Sequence, residues 1–340
     1  MSKVARHIHA QVDGVRLHWA ELRAGGDGVP LVLLHGLYDS HRTWDFVAPE
    51  LARDRAVLMP DLPGHGLSDR PDASYQLVWH ARIVARWLDS IGVGQIDLVG
   101  HSFGGGVAQM FLREYPARVR RLVLVAAGGL GREICAALRL ASVPGIVESL
   151  GQPFMGIGTY LALLRTRGFT TAEIRMLAAM NAEPGSARAF ARTVRDIIDW
   201  RGQRRAFFDH AHEIAELPPI AVLWGVADKI IPIAHGRAFA ERIEGVVFVP
   251  FEGCGHYLHR ERPDAFVRVV RTLLVTPSAS APRLRPPTAP PPPHTRVQVA
   301  LATCPDERGR RTGGDQPGDG ASTGGGMLGS VRSAFRRRRC

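Results

Sequence analysis

A serine framed by glycines is the segment of this sequence best suited to chemistry. It is Ser102, in the stretch GHSFG at 100–104, which follows an apolar run and precedes a segment of helical character. A serine at a sharp turn between a strand and a helix presents its hydroxyl group as a nucleophile, and the flanking glycines let the strand and the helix approach closely. The spacing therefore predicts nucleophilic catalysis by Ser102.

A serine nucleophile needs a base to accept its proton and an acidic group to orient that base. Asp228 follows the apolar run Ile220–Trp224, and His256 follows the apolar run Val246–Pro250. The chain order serine, acid, histidine, with the last two in loops after late strands, is one of the known triad orders. We therefore predict a catalytic triad of Ser102, Asp228 and His256.

Two backbone N–H groups are expected to stabilise the oxyanion that forms when the serine attacks a carbonyl carbon. One belongs to Phe103, the residue after the nucleophile, and the other to Leu37, in the loop after the apolar run 30–34. His35 is expected to brace that loop, and His101 to pack or hydrogen-bond beside the elbow. This mechanism needs neither a metal ion nor an organic cofactor, and the sequence predicts none.

Short apolar runs alternate with amphipathic segments over most of the chain, a pattern typical of a mainly parallel sheet covered by helices. The segments 4–12 and 15–21 are expected to form a hairpin at Asp13-Gly14. The predicted fold class is α/β, with a mostly parallel eight-stranded sheet flanked by helices and an inserted helical cap. Buried strands are predicted at 30–34, 56–60, 96–99, 119–125, 220–224 and 246–250, and helices at about 44–51, 75–91, 105–115 and 263–274.

The alternation stops at 132–217, where glycine and proline breaks separate several helical segments. We interpret this stretch as a helical cap inserted between two parts of the core, 1–131 and 218–275. Its apolar residues are expected either to roof the substrate pocket or to form the core of the insertion. These residues are Leu140, Ile146, Phe154, Met155, Leu161 and Leu164.

Residues 276–340 differ from the rest in composition. They contain 11 Arg against 4 Asp or Glu, and 10 of the 24 prolines, which predicts a disordered basic tail. This tail carries +7 of the net charge of +11, so the folded body is not expected to bind nucleic acid. Binding of the tail to nucleic acid or to anionic lipid is a separate alternative.

The sequence predicts a cytoplasmic protein without a membrane span. No apolar run reaches the roughly 18 residues that a spanning helix needs, and residues 1–10 lack the apolar core of a secretory signal. The cysteines are spaced neither as metal ligands nor as a disulfide framework. They are Cys135, Cys254, Cys304 and Cys340.

Over residues 1 to about 275 the chain resembles the α/β-hydrolase fold superfamily. The resemblance implies a helical cap after the sixth core strand, where 132–217 lies. Haloalkane dehalogenases and epoxide hydrolases of this fold use an aspartate at the elbow, so Ser102 favours the serine branch. The matching stretches are His35-Gly36, Asp61–Ser68, Gly100–Gly105, Asp228 and Gly255-His256.

The stretch GGLG at 128–131 resembles the loop that enters the cap in meta-cleavage-product hydrolases, which cut a carbon–carbon bond of vinylogous 1,5-diketones with the same triad. Those enzymes often carry Asn before the serine and Trp after the histidine, where this chain has His101 and Tyr257. They also hold the substrate carboxylate with an arginine of the cap. The spacing selects none of the candidates, which are Arg165, Arg167, Arg175 and Arg188.

The sequence therefore predicts a serine hydrolase that forms an acyl-enzyme from a small to medium carboxylic ester. Carbon–carbon bond cleavage of meta-cleavage products is the alternative, and a non-catalytic ligand receptor of the same fold is a minor one. In each case the partner is a small molecule. No pattern in the sequence indicates an oligomeric state.

Overall fold

The N-terminal hairpin forms as its turn sequence predicts. Strands β1 (Arg6–Val12) and β2 (Val15–Leu22) pair antiparallel. The turn residues Asp13 and Gly14 have positive φ angles of 47° and 78°, as a two-residue turn of type I′ requires. This computed structural model describes residues 5–23, 26, 28–143, 145–204, 207, 211–214, 216–276 and 282–284.

Six further strands join the hairpin in a single sheet. They are β3 (Gly28–Leu34), β4 (Arg55–Pro60), β5 (Ile96–His101), β6 (Val119–Val125), β7 (Ile220–Gly225) and β8 (Val247–Phe251). The strand order is β1-β2-β4-β3-β5-β6-β7-β8. The β2–β4 pairing is antiparallel, and all pairings from β4 to β8 are parallel. The predicted α/β class and the mostly parallel eight-stranded sheet are confirmed.

The central strands are buried on both faces, as their unbroken apolar runs predict. Every residue of β5 and of β7 is buried, and so are the last four residues of β3. Because these strands run in the same direction, their carboxyl ends meet at one edge of the sheet. The loops that carry the sequence-predicted site residues all begin at that edge.

The helices alternate with these strands. They are α1 (Ala48–Leu51), α2 (Leu77–Ser90), α3 (Phe103–Glu114), α4 (Ala136–Ala141), α5 (Ile146–Leu150), α6 (Met155–Leu163), α7 (Thr171–Ala182), α8 (Ser186–Ile197), α9 (Ala234–Arg242), α10 (Leu258–Glu261) and α11 (Pro263–Val275). The predicted helix at 44–51 is instead a 3-10 turn (His41–Trp44) followed by α1. Helix α9 was not predicted, because Phe239 is its one fully buried large apolar side chain and the apolar periodicity is weak.

Helices α4 to α8 lie between β6 and β7 in the chain and pack against two loops of the sheet edge. One apolar cluster brings Met155 and Phe190 to Leu37 and Tyr38, in the loop after β3. Another joins Leu177 of α7 to Tyr257, in the loop after β8. These helices therefore contact the loops after β3 and β8, which carry Leu37 and His256 of the sequence-predicted site.

A buried charge lies near the opposite end of β5. Asp97 is fully buried, and its carboxylate forms ion pairs with Arg55 of β4 and Arg120 of β6. A charge taken out of water requires such partners, because the desolvation penalty is otherwise several kcal/mol. This network joins β5 to the adjacent strand β6 and, across β3, to β4.

The β5–α3 junction is closely packed. A Cβ atom on Gly100 would lie 2.5 Å from the carbonyl oxygen of Gly104. A Cβ atom on Gly104 would lie 2.5 Å from the carbonyl oxygens of both Leu34 and His35. Backbone atoms cannot retreat as a flexible side chain can, so glycine alone fits at both positions.

The two-residue strands Ile243–Glu244 and Arg283–Leu284 pair antiparallel. Apart from residues 276 and 282–284, the predicted disordered tail lies outside the described residues. Among the helices of the described residues, none is both long and apolar enough to cross a membrane.

We predict that Gly104→Ala lowers the free energy of unfolding by about 2 kcal/mol or more, because overpacking against immobile backbone costs roughly 1–3 kcal/mol. Urea unfolding followed by circular dichroism measures the change. The matched control is Gly158→Ala in α6, where a Cβ atom would meet nothing within 4 Å. The control should be neutral or stabilising by up to about 1 kcal/mol, and equal midpoints for wild type and Gly104→Ala would contradict the prediction.

Candidate active site

Ser102 occupies the turn between β5 and α3 in a strained backbone conformation. Its φ and ψ angles are 52° and −116°, and a positive φ is uncommon for a residue with a side chain. Its N–H donates to the carbonyl of Val125 at 3.0 Å, and its own carbonyl accepts from the amides of Gly105 and Gly128, each at 3.0 Å. Hydrogen bonds from a strand, a helix and a loop therefore hold the serine in this conformation.

Asp228 and His256 lie in neighbouring loops at the carboxyl ends of β7 and β8. The loops are joined by a hydrogen bond from the Ala227 N–H to the Cys254 carbonyl at 2.8 Å. Asp228 Oδ2 lies 2.8 Å from His256 Nδ1, and both side chains are almost completely buried. The structure thus brings together two residues that are 28 positions apart.

The surroundings of Asp228 determine which ring nitrogen of His256 carries hydrogen. Asp228 Oδ1 accepts from the N–H groups of Ile230 and Ile231 at 2.8 and 3.1 Å. An ionised carboxylate only accepts hydrogen bonds, so Nδ1 of His256 is the protonated nitrogen of the neutral ring. Its Nε2 is then left with a lone pair that can accept a proton.

His101 connects the serine turn to the histidine loop. Its Nε2 lies 3.0 Å from the carbonyl oxygen of His256, and the two imidazole rings are 4.8 Å apart. Burial, followed by the neighbouring His259 and His256, lowers the pKa of His101 well below its usual range, so its ring is neutral and Nε2–H is the donor. Ser102 is the residue that directly follows His101 in the chain. In the described chain, no hydrogen bond joins the Ser102 hydroxyl group to His256.

The two backbone amides expected at an oxyanion site belong to the residue after Ser102 and to the loop after β3. Phe103 is the first residue of α3, so its N–H has no carbonyl four residues earlier in the helix to bond. In the loop after β3, a Cβ atom on Gly36 would come within 3.3 Å of Ser102 Cβ. Leu37 follows Gly36 directly, so its amide also belongs to the loop that touches the serine.

His35 braces that loop, as expected. The Leu62 N–H donates to His35 Nε2 at 3.0 Å, and His35 Nδ1 lies 2.8 Å from the carbonyl oxygen of Gly36. Burial lowers the pKa of His35, which agrees with a neutral ring that accepts at Nε2 and donates at Nδ1.

Asp39 is a buried carboxyl group two residues after Leu37. Its Oδ1 accepts a hydrogen bond from the Ser40 N–H at 2.8 Å. Burial raises the pKa of Asp39 to about 6. The loop after β3 therefore holds a carboxyl group that ionises close to neutral pH.

An apolar pocket adjoins the serine turn. Its cavity volume is about 60 Å³, and Phe103 and Gly128 form the wall next to Ser102. Three residues considered for a roof, Leu140, Phe154 and Leu161, are more than 60% exposed and are not among the described residues that line it. The pocket's apolar wall comes instead from Leu77, Met110, Ile197, Phe207 and Ile214.

The family model of the alpha/beta hydrolase fold matches residues 29–263 of this chain. The chain belongs to the α/β-hydrolase fold family. It is a hydrolase, as the family and the hydrolase names of its relatives indicate. The resemblance drawn from the sequence motifs is confirmed.

Two curated relatives of this α/β hydrolase are named as enzymes of meta-cleavage chemistry. The 2-hydroxymuconate semialdehyde hydrolase of Pseudomonas sp. (strain CF600) is 32% identical, over 82% of this chain and 96% of that protein. The 2-hydroxy-6-oxo-2,4-heptadienoate hydrolase of Pseudomonas putida is 31% identical, over 73% of this chain and 90% of that protein. An uncharacterized protein of Mycobacterium tuberculosis is 32% identical, over 75% of this chain and 77% of that protein.

Solved structures share the fold. Cfl2 from Burkholderia cenocepacia aligns with a TM-score of 0.69 and 27% identity, over 79% of this chain and 96% of that one. The enol-lactonase from Burkholderia xenovorans LB400 aligns with a TM-score of 0.66 and 22% identity, over 79% of this chain and 100% of that one. At that lower identity the likeness shows the fold alone.

Two features of the site were not foreseen from the sequence. The Gly128 amide supports the Ser102 carbonyl, and Asp39 is buried beside the loop amides. Neither leaves a sequence signal, because a backbone amide is common to almost every residue and a loop aspartate is ordinarily exposed.

We predict that His101→Leu lowers kcat about fivefold with little change in KM, because it removes the hydrogen bond that links the serine turn to the His256 backbone and is worth roughly 1 kcal/mol. Steady-state kinetics on any hydrolysed substrate measures kcat and KM separately. His101→Gln keeps an N–H donor and should recover most of the lost kcat. A fall in activity of the same size in both variants would show that ring packing, not the hydrogen bond, matters.

We predict that Asp39→Asn stabilises the fold at pH 8. The folded pKa of Asp39 is raised above the unfolded value, so ionisation destabilises the native state, and this cost develops as pH rises through the interval from about 4 to 6. A shift of about two units corresponds to roughly 3 kcal/mol at most. Urea unfolding measures the difference in the free energy of unfolding between the two proteins. This difference should be clear at pH 8 and nearly vanish at pH 4. A difference independent of pH would contradict the raised pKa of Asp39.

Proposed function

We propose that this α/β hydrolase is a serine hydrolase that cleaves small to medium carboxylic esters through an acyl-enzyme. Ser102 is the nucleophile, His256 the general base and Asp228 the group that orients the histidine. The observation that carries the proposal is the Asp228–His256 hydrogen bond at 2.8 Å, which leaves Nε2 of the ring free to take a proton at the serine turn.

In the proposed reaction Ser102 Oγ forms a bond to the ester carbonyl carbon while its proton passes to His256 Nε2. The tetrahedral intermediate then breaks its C–O bond to the alcohol, which leaves with the proton from His256. Water next attacks the acyl carbon and gives a proton to His256. Breaking the bond to Ser102 Oγ releases the carboxylic acid and returns the proton to the serine.

The amides of Leu37 and Phe103 are proposed to stabilise the oxyanion of both tetrahedral intermediates. Amides fixed by a helix start and a braced loop need little reorganisation when charge develops, so they lower the barrier more than mobile donors do. The His35 hydrogen bonds and the packing of Gly36 against Ser102 support this role for the loop after β3.

We further propose that 132–217 acts as a cap over a core made of 1–131 and 218–275. Support comes from the contacts of Phe190 with the loop after β3 and of Leu177 with Tyr257. The apolar pocket beside Phe103 suits the acyl or alcohol part of a small-molecule ester. A cytoplasmic location is part of the proposal, in agreement with the free thiols of Cys135 and Cys254.

The names of two relatives favour a second candidate, hydrolysis of a carbon–carbon bond in meta-cleavage products. Such substrates carry a carboxylate that needs a cationic partner. Of the four sequence candidates, Arg167 and Arg188 donate to backbone carbonyls, and Arg165 and Arg175 are exposed. None of the four is among the described residues that line the pocket beside Phe103. Arg113 does line that pocket, but it forms an ion pair with Glu213. These observations support the ester over the diketone.

The test is hydrolysis of a p-nitrophenyl ester series of increasing acyl length by wild type and Ser102→Ala. Activity should peak at one chain length, and Ser102→Ala should lower kcat/KM by roughly 10⁴-fold or more, since loss of a triad serine removes the nucleophile. Ser90→Ala, at the carboxyl end of α2, is the control and should retain activity.

A parallel assay uses 2-hydroxy-6-oxo-2,4-heptadienoate as substrate. Turnover of this compound by wild type, with no ester hydrolysis, would replace the ester proposal by the carbon–carbon one. Tight binding of either compound without turnover would indicate a receptor. Ester hydrolysis that survives Ser102→Ala would contradict the assignment of the nucleophile.

A further inference from the structure

Three histidines from different parts of the fold meet away from the serine turn. His7 lies on β1, His18 on β2, and His41 begins the 3-10 turn after the β3 loop. One ring nitrogen of each lies within 4.8 Å of the others. We propose that His7, His18 and His41 bind a divalent transition-metal ion such as Zn²⁺.

A shared carboxylate orients two of the three rings. Asp61, just after β4, accepts from His18 Nδ1 at 2.7 Å and lies 3.0 Å from His41 Nδ1. A carboxylate oxygen of Asp61 faces each Nδ1 atom at hydrogen-bond distance, so each Nδ1 donates to Asp61. The lone pair of each neutral ring is then on Nε2, the arrangement in which a carboxylate orients a metal-binding histidine.

The two Nε2 atoms differ in their surroundings. His41 Nε2 is buried and has no hydrogen-bond partner in the described part of the chain. His18 Nε2 faces His7 Nδ1 at 3.1 Å. Two nitrogens bound to one tetrahedral ion at about 2.0–2.1 Å lie roughly 3.3 Å apart, so this pair is already spaced as two ligands.

The side-chain chemistry selects the kind of ion. Imidazole nitrogens suit zinc, copper, nickel and iron, whereas magnesium and calcium prefer oxygen ligands. His7 is exposed, so solvent can supply the fourth ligand of a tetrahedral site.

The ion would join the hairpin to the loop region that carries Leu37 and Asp39. We assign it a structural role, because its three ligands lie outside the pocket beside Ser102. An ion that binds only the folded chain raises the unfolding temperature in proportion to the logarithm of its concentration. The proposal does not depend on the ester reaction.

The test is a Zn²⁺ titration of the tag-free full chain by calorimetry, in competition with a chromophoric chelator, together with thermal unfolding. Wild type should bind one Zn²⁺ per chain and unfold at a higher temperature when zinc is added. His7→Ala removes an exposed ligand without disturbing the core and should weaken Zn²⁺ binding at least about tenfold. His9→Ala is the matched control, because His9 is also exposed on β1 and contacts His18 but lies outside the ligand group. The Zn²⁺ affinity of His9→Ala should stay within about twofold of that of wild type.

Several results would overturn the proposal. They are the absence of Zn²⁺ binding by wild type, equal affinities for wild type and His7→Ala, and equal weakening by His7→Ala and His9→Ala. Substitution with Co²⁺ adds an independent check, since a thiolate charge-transfer band would assign the ion to cysteines instead of to this histidine cluster.

Discussion

The close approach of β5 and α3 is the constraint on which the candidate active site depends. Gly100 and Gly104 allow strand and helix to meet at contact distance, and Ser102 between them is left with a positive φ angle. The cost of this conformation is offset by hydrogen bonds on both sides of the serine. The junction follows the carboxyl end of β5, so Ser102 and the first helical residue, Phe103, lie at the same edge of the sheet.

Around that junction, each neighbouring loop is restrained by a different interaction. His35 fixes the loop after β3, Asp228 fixes the ring of His256, and His101 joins the serine turn to the backbone of His256. The buried histidines His35 and His101 have lowered pKa values because burial disfavours their charged form. They are neutral rings that donate and accept at defined nitrogens, so they organise the site without adding charge to it.

Asp61 has a comparable organising role at the end of β4. Its buried carboxylate accepts from His18, from the backbone and ring of His41, and from the Leu67 amide. A fully buried charge is stable only when so many donors surround it. The same hydrogen bonds that compensate this charge leave the outer nitrogens of two histidines unprotonated, and the proposed metal site is a consequence of that compensation.

The sequence by itself determined the α/β class, the buried strands, the hairpin turn at Asp13-Gly14 and the glycine-framed turn at Ser102. These features depend on local physics, namely apolar runs, periodicity and the backbone freedom of glycine. Sequence reasoning did not find α9, whose apolar pattern is weak, and for the apolar residues of 132–217 it left a pocket roof and a core of the insertion as alternatives. It did pair Asp228 with His256, from chain order and loop position. Only the tertiary structure decided the burial of Asp39 and the meeting of His7, His18 and His41. Such contacts join distant segments, and their geometry is set by how strands and loops pack, which no local pattern encodes.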